Sequence, residues 1–226
     1  MTTWFVTGTD TEVGKTIFTN CFNQFLTNHN QQVTTQKWVQ TGCKEIPLDI
    51  DKHDQSISTP QSKSIRKFRM PYSFSLPASA HLAAKNENTI IDPNKIIQSL
   101  RYLENQFDNV IIEGLGGIAV PLTETQTTLD ILEQLKPHII IVIPNQIGAI
   151  NHALLTIETI SNRHIPISGF IINNLNPKTP NLIKDDNPKI IQTLSGIKCI
   201  GTINQTKQLQ LSQPFIHQEL NIKTNQ

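Results

Sequence analysis

The chain has 226 residues, enough for one large α/β domain or two small ones, and we expect a single domain over residues 1–226. Its 19 Lys and Arg residues balance 18 Asp and Glu residues, without the basic tail or stripe of a nucleic-acid-binding protein, so small molecules are the expected partners. The longest apolar run, Ile139–Ile143, is far shorter than the roughly 20 residues that cross a bilayer, so no membrane partner is expected.

The first predicted element is a buried strand at Trp4–Val6, and the segment after it has the pattern of a phosphate-binding loop. That segment, Gly8–Thr16, reads GTDTEVGKT and leads into an amphipathic helix predicted over Lys15–Asn28. In such a loop, backbone N–H groups and the helix N-terminus bind phosphate oxygens, a lysine neutralises the transferring phosphate and a threonine binds Mg²⁺. Lys15 and Thr16 are the candidates for these two roles. Five residues rather than the usual four separate the two glycines, so the loop is one residue longer than the standard pattern.

The rest of the chain alternates predicted strands and helices, which is typical of a mostly parallel sheet with helices on both faces. Continuous apolar runs, rather than alternating ones, predict strands that are buried on both faces. These further strands lie at Val33–Val39, Val110–Ile112, Ile139–Ile143, Phe170–Ile172 and Cys199–Ile203. Helical patterns fall at Pro93–Phe107, Ile150–Asn162 and Pro188–Leu194. The predicted fold is therefore a three-layer α/β fold like that of phosphate-loop NTPases.

Helix starts and loops can also be placed. Asp92 and Asn187 each precede a proline, so we predict that they cap the helices beginning at Pro93 and Pro188. The segments Gln40–Pro60 and Arg69–Pro77 lack periodicity, and loops of this length are usually functional, so we expect them at the ligand-binding end. The polar tail Gln205–Gln226 has no clear assignment.

Polar clusters follow the predicted strands at their carboxyl ends, where ligands bind in open parallel sheets. Glu113 opens the sequence EGLGG directly after a buried strand; a carboxylate there suits Mg²⁺, although a surface glutamate before a glycine turn would show the same pattern. Lys37 and Thr41 lie at the end of the second strand, where a lysine could face an anionic intermediate or simply solvent. From composition alone, Asp54 is one of several acids in a solvated loop.

The cysteines and the first residues bear on location. The three cysteines are odd in number and form no C-x-x-C pair, which favours reduced thiols over disulfides or structural zinc. The first residues lead straight into the first strand and leave no room for a signal peptide. We therefore expect a cytoplasmic protein.

Several segments resemble the dethiobiotin synthetase family in order and spacing. They are GTDTEVGKT at 8–16, KWVQTG at 37–42, the acid at position 54, EGLGG at 113–117 and GAINHALLT at 148–156. The resemblance extends from Thr3 to Asn204, and the lengthened phosphate loop is itself characteristic of the family. It implies that 7,8-diaminopelargonate and carbon dioxide form dethiobiotin at the expense of ATP, through a carbamate and a carbamic-phosphoric anhydride, with ADP and phosphate released.

The resemblance also implies roles for residues at matching positions. Lys37 would be the main catalytic residue, and Lys15 would contact the phosphates and the carbamate. The Mg²⁺ ligands would be Thr16, Asp54 and Glu113. The residues around ATP would be Glu12, Val13, Gly14, Lys15, Thr16, Asp54, Glu113, Gly114, Leu115, Gly116, Gly117, Asn173 and Asn174, with the Asn173 amide reading the adenine edge. The substrate-binding residues would be Thr11 and Thr41, together with Gly148, Ala149, Ile150 and Asn151 from the neighbouring subunit of a homodimer.

The chain departs from the family pattern at three of these places. Trp38 stands where the family commonly has proline, Asn174 stands where an acid is common, and Asn204 replaces a proline near the base pocket. These departures bear on the nucleotide preference rather than on the chemistry.

Three other interpretations remain open. A cobyrinate amide-forming synthetase would use a similar loop, but such enzymes usually carry a glutaminase domain for which this chain has no room. A partitioning or septum-positioning ATPase would carry an additional lysine near the start of its loop, where this chain has Gly8–Thr11. An ATP-binding fold that has lost its activity is the third.

Overall fold

The computed structural model describes residues 1–43, 48–55, 61–220 and 222. Part of the predicted loop Gln40–Pro60 and the end of the tail therefore lie outside the described residues. The strands are β1 (Thr2–Gly8), β2 (Val33–Lys37), β3 (Val39–Gln40), β4 (Tyr72–Ser73), β5 (Asn109–Glu113), β6 (His138–Pro144), β7 (Ile167–Asn173), β8 (Cys199–Ile203) and β9 (Leu209–Leu211). The helices are α1 (Lys15–Asn28), α2 (Leu48–Gln55), α3 (Arg66–Arg69), α4 (Ala80–Asn86), α5 (Pro93–Glu104), α6 (Thr128–Leu135), α7 (Ala149–Ser161), α8 (Asn181–Ser195) and α9 (Gln213–Gln218).

Seven strands form the main sheet in the order β2-β5-β1-β6-β7-β8-β9. All neighbours pair in parallel except β9, which runs antiparallel to β8. The small pair β3–β4 lies apart from this sheet. The three-layer, mostly parallel α/β prediction is confirmed, and every predicted strand is present, although the one predicted over Val33–Val39 is broken after Lys37.

Side chains alternate between the two faces of the sheet, as the strand period of two requires. Phe5, Ile112 and Ile141 point into a core shared with α4, α5, α6 and α7, whereas Trp4 and Ile140 point into a second core. The second core is completed by Phe18, Phe22 and Leu26 of α1 and by Phe215 and Ile216 of α9. Burial on both faces explains why the central strands are continuous apolar runs.

The helix boundaries agree with the sequence at some positions and not at others. Helix α1 begins and ends where predicted, and Asp92 caps α5 by accepting a hydrogen bond from the backbone of Asn94. The prediction that Asn187 caps a helix beginning at Pro188 is wrong: α8 begins at Asn181 and carries Pro188 inside it. The buried Asn187 side chain instead contacts the loop after β6, so tertiary contacts outweigh the local start signal.

Helices α2, α3, α4, α6 and α9 were not predicted. Helix α2 lies within the segment Gln40–Pro60, which the sequence indicates only as an aperiodic loop. Helix α6 is preceded by a capping box formed by Thr127 and Asp130, a local signal that the sequence does contain. The part of the chain that the structure describes holds no helix with the length and apolarity needed to cross a bilayer.

Candidate active site

The phosphate loop connects β1 to α1, and it ends in a glycine with a left-handed backbone conformation. Gly14, the residue before α1, has φ of 100°, a conformation that L side chains rarely adopt. A Cβ at this position would also overlap the side-chain nitrogen of Asn173, at the end of β7. That nitrogen donates to the backbone carbonyl of Val13 at 2.7 Å, so β7 fixes the shape of the loop from the side.

Lys15 lies against its own loop. Its ammonium donates to the backbone carbonyl of Asp10 at 2.8 Å, and the residue is only 7% exposed. Burial, followed by the neighbouring positive charge of Lys37, lowers the pKa of Lys15 to about 8. A phosphate group beside Lys15 would favour the charged form again. The loop is therefore arranged to gain from the binding of an anion.

The glycine-rich turn after β5 packs against the phosphate loop. The backbone N–H of Gly114 donates to the carbonyl of Val6 at 2.9 Å, and a Cβ on Gly114 would lie 2.9 Å from the Phe5 ring. A Cβ on Gly117 would lie 3.7 Å from the carbonyl oxygen of Gly8. The structure therefore brings Glu113, Gly114, Leu115, Gly116 and Gly117 to the loop Gly8–Thr16, as the sequence predicts.

Lys37 and Glu113 form a buried ion pair at the centre of this region. They are register partners at the last paired positions of β2 and β5, and Lys37 Nζ lies 2.8 Å from Glu113 Oε1. Lys37 is 4% exposed and Glu113 is 2% exposed. Thr16 Oγ1 donates to the same carboxylate oxygen at 2.8 Å, which links the start of α1 to the pair. The three predicted residues therefore lie in one contact network.

The charges in this network stabilise one another. Burial alone would raise the pKa of Glu113, but the Lys37 charge and the hydrogen bond from His53 hold it well below its usual range. Burial alone would lower the pKa of Lys37, but the carboxylates of Glu113 and Asp49 outweigh burial and raise it. Both groups therefore stay ionised at neutral pH despite their burial.

His53 is a member of the network that the sequence analysis missed. It lies on α2, is 0% exposed, and its Nε2 lies 2.7 Å from Glu113 Oε2. Lys37 and Thr16 occupy the other carboxylate oxygen, so both oxygens of Glu113 are engaged. His53 therefore fixes the rotation of the carboxylate.

Asp49, rather than Asp54, is the helix α2 acid that reaches Lys37. Asp49 Oδ2 lies 2.8 Å from Lys37 Nζ, on the side of α2 that also carries His53 one helical turn later. The Asp54 carboxylate instead forms an ion pair with Arg69 at 2.7 Å. The structure thus turns Asp54 toward a buried arginine, and its role as a Mg²⁺ ligand with Thr16 and Glu113 stays a prediction.

The two asparagines predicted to contact the nucleotide, Asn173 and Asn174, have different surroundings. The Asn173 amide was expected to contact adenine. Its side-chain carbonyl accepts from the backbone N–H of Leu175, and its side-chain nitrogen donates to the Val13 carbonyl in the phosphate loop. Asn174 lines a cavity of about 500 Å³ between the ends of β7 and β8 and helix α8. Asn174 therefore faces the open space more directly than Asn173.

The predicted substrate residues occupy separate places on the same rim. Thr11 lies exposed on the phosphate loop, and Thr41 follows β3. Gly148, Ala149, Ile150 and Asn151 form the start of α7, beside Ile147, which is 86% exposed. Among the described residues, no hydrogen bond or ion pair joins this helix start to Lys37. A helix N-terminus at the surface suits a carboxylate brought by a ligand.

The oxygens around Glu113 fit Mg²⁺. Thr16 Oγ1 lies 2.8 Å from Glu113 Oε1 beside the phosphate loop, and Lys37 Nζ lies 2.8 Å from both Glu113 Oε1 and Asp49 Oδ2. Within residues 1–43, 48–55, 61–220 and 222, no group of three His, Cys, Asp or Glu side chains forms an all-protein metal cage. Mg²⁺ typically takes one or two carboxylates and completes its shell with phosphate oxygens and water, so the donor set is of the right kind.

Comparisons with known proteins show which family the chain resembles. A family model described as an AAA domain matches residues 2–213. The chain is similar to ATP-dependent dethiobiotin synthetase BioD 2 of Haemophilus ducreyi, at 39% identity over 170 residues that cover 75% of this chain and 81% of the relative. It is also similar to the protein of the same name from Pasteurella multocida, at 36% identity over 81% of this chain and 86% of the relative.

A solved structure shares the fold. The MinC:MinD cell division protein complex of Aquifex aeolicus matches with a TM-score of 0.59 over 91% of this chain and 82% of that chain. The identity is 12%, so this likeness speaks for the fold alone.

The His53 contact leads to a stability prediction. We expect His53→Leu to lower the free energy of unfolding by about 1–3 kcal/mol, because the buried Oε2 of Glu113 loses a hydrogen bond. His53→Gln, which retains an N–H donor, should recover at least half of that loss. Urea unfolding of the two variants beside the parent protein measures this, and a leucine variant as stable as the parent would contradict it.

Proposed function

The chain belongs to the ATP-dependent dethiobiotin synthetase family, and from that premise we propose that it closes the ring of dethiobiotin from 7,8-diaminopelargonate, carbon dioxide and ATP. It is an ATP-dependent ligase of biotin biosynthesis. The observation that carries the detailed proposal is the buried network of Lys37, Glu113, Asp49 and Thr16 beside the phosphate loop. This network supports the proposal, because its charged groups lie beside the loop on which the phosphates of a nucleotide would bind.

The proposed reaction has three steps. One amine of the substrate combines with carbon dioxide to form a carbamate and releases a proton. A carbamate oxygen then attacks the γ-phosphorus of ATP, the bond from that phosphorus to the β–γ bridging oxygen breaks, and ADP leaves. The second amine attacks the carbonyl carbon of the resulting anhydride, loses a proton, and expels phosphate as the ring closes. ATP thereby converts a carbamate oxygen, a poor leaving group, into phosphate.

The chain supplies charge and position rather than a covalent nucleophile. Lys15, at the N-terminus of α1, would contact the phosphates, and Lys37 would stabilise the carbamate and the negative charge that develops on the transferring group. Its burial between two carboxylates keeps the Lys37 ammonium charged and in one place. Lys37 is therefore the catalytic residue in this proposal, with Lys15 as its partner.

Three residues would hold Mg²⁺: Thr16, Glu113 and Asp49, the last in place of Asp54. When bound, Mg²⁺ supplies positive charge that neutralises phosphate oxygens. His53 would keep Glu113 in the orientation that presents Oε1 toward Thr16. The glycine turn 114–117 would line the phosphates together with residues 12–16.

The remaining site residues complete the proposal. Thr11 and Thr41 would contact the diamine, and the start of α7, Gly148–Asn151, would bind the substrate carboxylate in the site of a second subunit of a homodimer. A second copy bound there would cover Ile147, which is 86% exposed beside that helix start. The three unpaired cysteines support a reducing, cytoplasmic location.

The purified protein should form dethiobiotin from 7,8-diaminopelargonate, bicarbonate, ATP and Mg²⁺, with phosphate released in equal amount. Lys37→Ala should lower kcat by several orders of magnitude, because it removes a charge that acts mainly in the transition state. Mass spectrometry of the product and a coupled phosphate assay measure both. Phosphate release that does not depend on the diamine would refute the proposed function, and an unchanged kcat in the variant would refute the role of Lys37.

The two acids of α2 should differ sharply in their effects. We expect Asp49→Asn to lower kcat/KM by about 100-fold or more at limiting Mg²⁺ and to raise the Mg²⁺ concentration needed for half-maximal rate. Asp54→Asn, the matched control, should change kcat/KM by less than about fivefold and instead lower the free energy of unfolding by about 1–3 kcal/mol, because buried Arg69 loses its ion pair. If Asp54→Asn instead gave the larger loss of kcat/KM and the higher Mg²⁺ requirement, Asp54 rather than Asp49 would be the metal ligand.

A further inference from the structure

We propose that Asn145 locks the side-chain amide of Asn174 so that its NH2 group faces the nucleobase cavity, which makes Asn145 a positioning residue for base selection. The inference rests on the proposed function only in taking this cavity as the place of the base. The ligand selected there is a nucleoside triphosphate whose base offers a hydrogen-bond acceptor, a ring nitrogen or a carbonyl oxygen.

The cavity lies next to the end of β7 and is lined mostly by polar and charged residues. It measures about 500 Å³, and its walls come from the end of β7, helix α8 and the strand–turn region of β8. The residues that line it include Asn174, Lys184, Asp185, Thr202 and Asn204. Asn173, the residue before Asn174, contacts the phosphate loop through Val13, so a nucleotide on that loop has this cavity within reach of its base.

Asn145, directly after β6, cannot turn its amide around. It is 2% exposed, and its side-chain nitrogen donates to the backbone carbonyl of Lys184 at 3.2 Å. In an α-helix the carbonyl of residue 184 would accept from the N–H of residue 188, but that residue is Pro188 and has no N–H. Asn145 thus supplies the hydrogen bond that the proline removes. If the Asn145 amide were flipped, its oxygen would face the Lys184 carbonyl oxygen, and both atoms can only accept.

A second backbone carbonyl fixes the next amide in the same sense. The Asn187 nitrogen donates to Asn145 Oδ1 at 2.8 Å and to the backbone carbonyl of Gln146 at 3.3 Å. The Gln146 carbonyl can only accept, and Asn187 is 5% exposed. The Asn187 side-chain oxygen therefore cannot replace its nitrogen beside that carbonyl. Asn145 therefore has its oxygen on the Asn187 side and its nitrogen on the Lys184 side.

The orientation of Asn174 follows from that of Asn145. The Asn145 nitrogen donates to Asn174 Oδ1 at 2.8 Å, so the Asn174 oxygen is occupied. Across the part of the chain that the structure describes, the Asn174 nitrogen has no hydrogen-bond partner, and the residue is half-buried at the cavity wall. The polar group that remains for a ligand is the NH2 donor. An acid at this position could only accept, so the chain presents the opposite hydrogen-bonding character to a base.

The test compares nucleotides that differ by one acceptor. Binding of ATP, 1-deaza-ATP, 3-deaza-ATP and 7-deaza-ATP is measured with Mg²⁺ and without diamine, by displacement of a ribose-labelled fluorescent ATP. Each analogue lacks one of the ring nitrogens through which adenine can accept a hydrogen bond. In the parent protein, one analogue should bind about 5- to 10-fold more weakly than ATP, the loss expected for one hydrogen bond to a neutral donor.

Two variants test the lock itself. Asn174→Asp replaces the donor with an acceptor, and Asn145→Asp obliges Asn174 to donate inward and turn its oxygen to the cavity. In both, the penalty for the sensitive analogue should fall below twofold, while ATP itself binds more weakly. Asn176→Asp is the matched control, the same change at an exposed position outside the cavity, and should keep the parent pattern. Circular dichroism melting confirms that each variant is folded, and Asn174→Asp serves if Asn145→Asp does not fold.

The outcomes separate the inference from the proposed function. Equal binding of all four nucleotides by the parent protein would overturn the inference, as would an Asn145→Asp protein that keeps the parent pattern. Binding of ATP with the expected pattern but without dethiobiotin formation would overturn the proposed function alone. A protein that binds no triphosphate would overturn both.

Discussion

The buried ion pair between Lys37 and Glu113 is the interaction on which the candidate site depends. The two residues are neighbours because β2 and β5 pair in parallel and end together, so the topology of the sheet places opposite charges side by side. A single charge buried this deeply would be costly, and each is tolerated because the other is present. The same pair then determines the surroundings: Thr16, His53 and Asp49 all contact one of its two members.

In the proposed reaction, this arrangement would promote phosphoryl transfer through charge and position rather than through a covalent nucleophile. The phosphate loop supplies backbone donors and Lys15, which is poorly compensated in the free protein and has a lowered pKa. The carboxylates of Glu113 and Asp49 raise the pKa of Lys37 and hold its ammonium between them. An anionic substrate would therefore meet one lysine that gains charge on binding and another that is already fixed in position. Electrostatic preorganisation of this kind needs no large movement of the protein.

Much of the fold was predictable because its signals are local. Continuous apolar runs marked the buried strands, the glycine-containing turn marked the phosphate loop, and Asp92 before a proline marked the start of α5. The signal at Asn187 and Pro188 failed because Asn145, from another part of the chain, satisfies the carbonyl that the proline leaves open, so the helix continues through it.

The sequence located the site residues that lie at strand ends or in the phosphate loop. It did not locate those whose position depends on the face of a helix that they occupy. Lys37, Glu113 and Thr16 follow directly from strand ends and the loop pattern. Asp49, Asp51 and Asp54 look alike in an aperiodic segment, and only the rotation of α2 turns Asp49 toward Lys37 and Asp54 toward Arg69. His53 shares the Asp49 face four residues later, a spacing that indicates a common side only once the helix is known.

The most direct test traces an oxygen atom from carbon dioxide into the released phosphate. If the carbamate attacks the terminal phosphorus of ATP beside Lys37, one oxygen of the released phosphate comes from carbon dioxide. We expect phosphate formed from oxygen-18-labelled bicarbonate, quenched before exchange with water, to carry one labelled oxygen for each dethiobiotin made. Dethiobiotin accompanied by unlabelled phosphate would contradict the account.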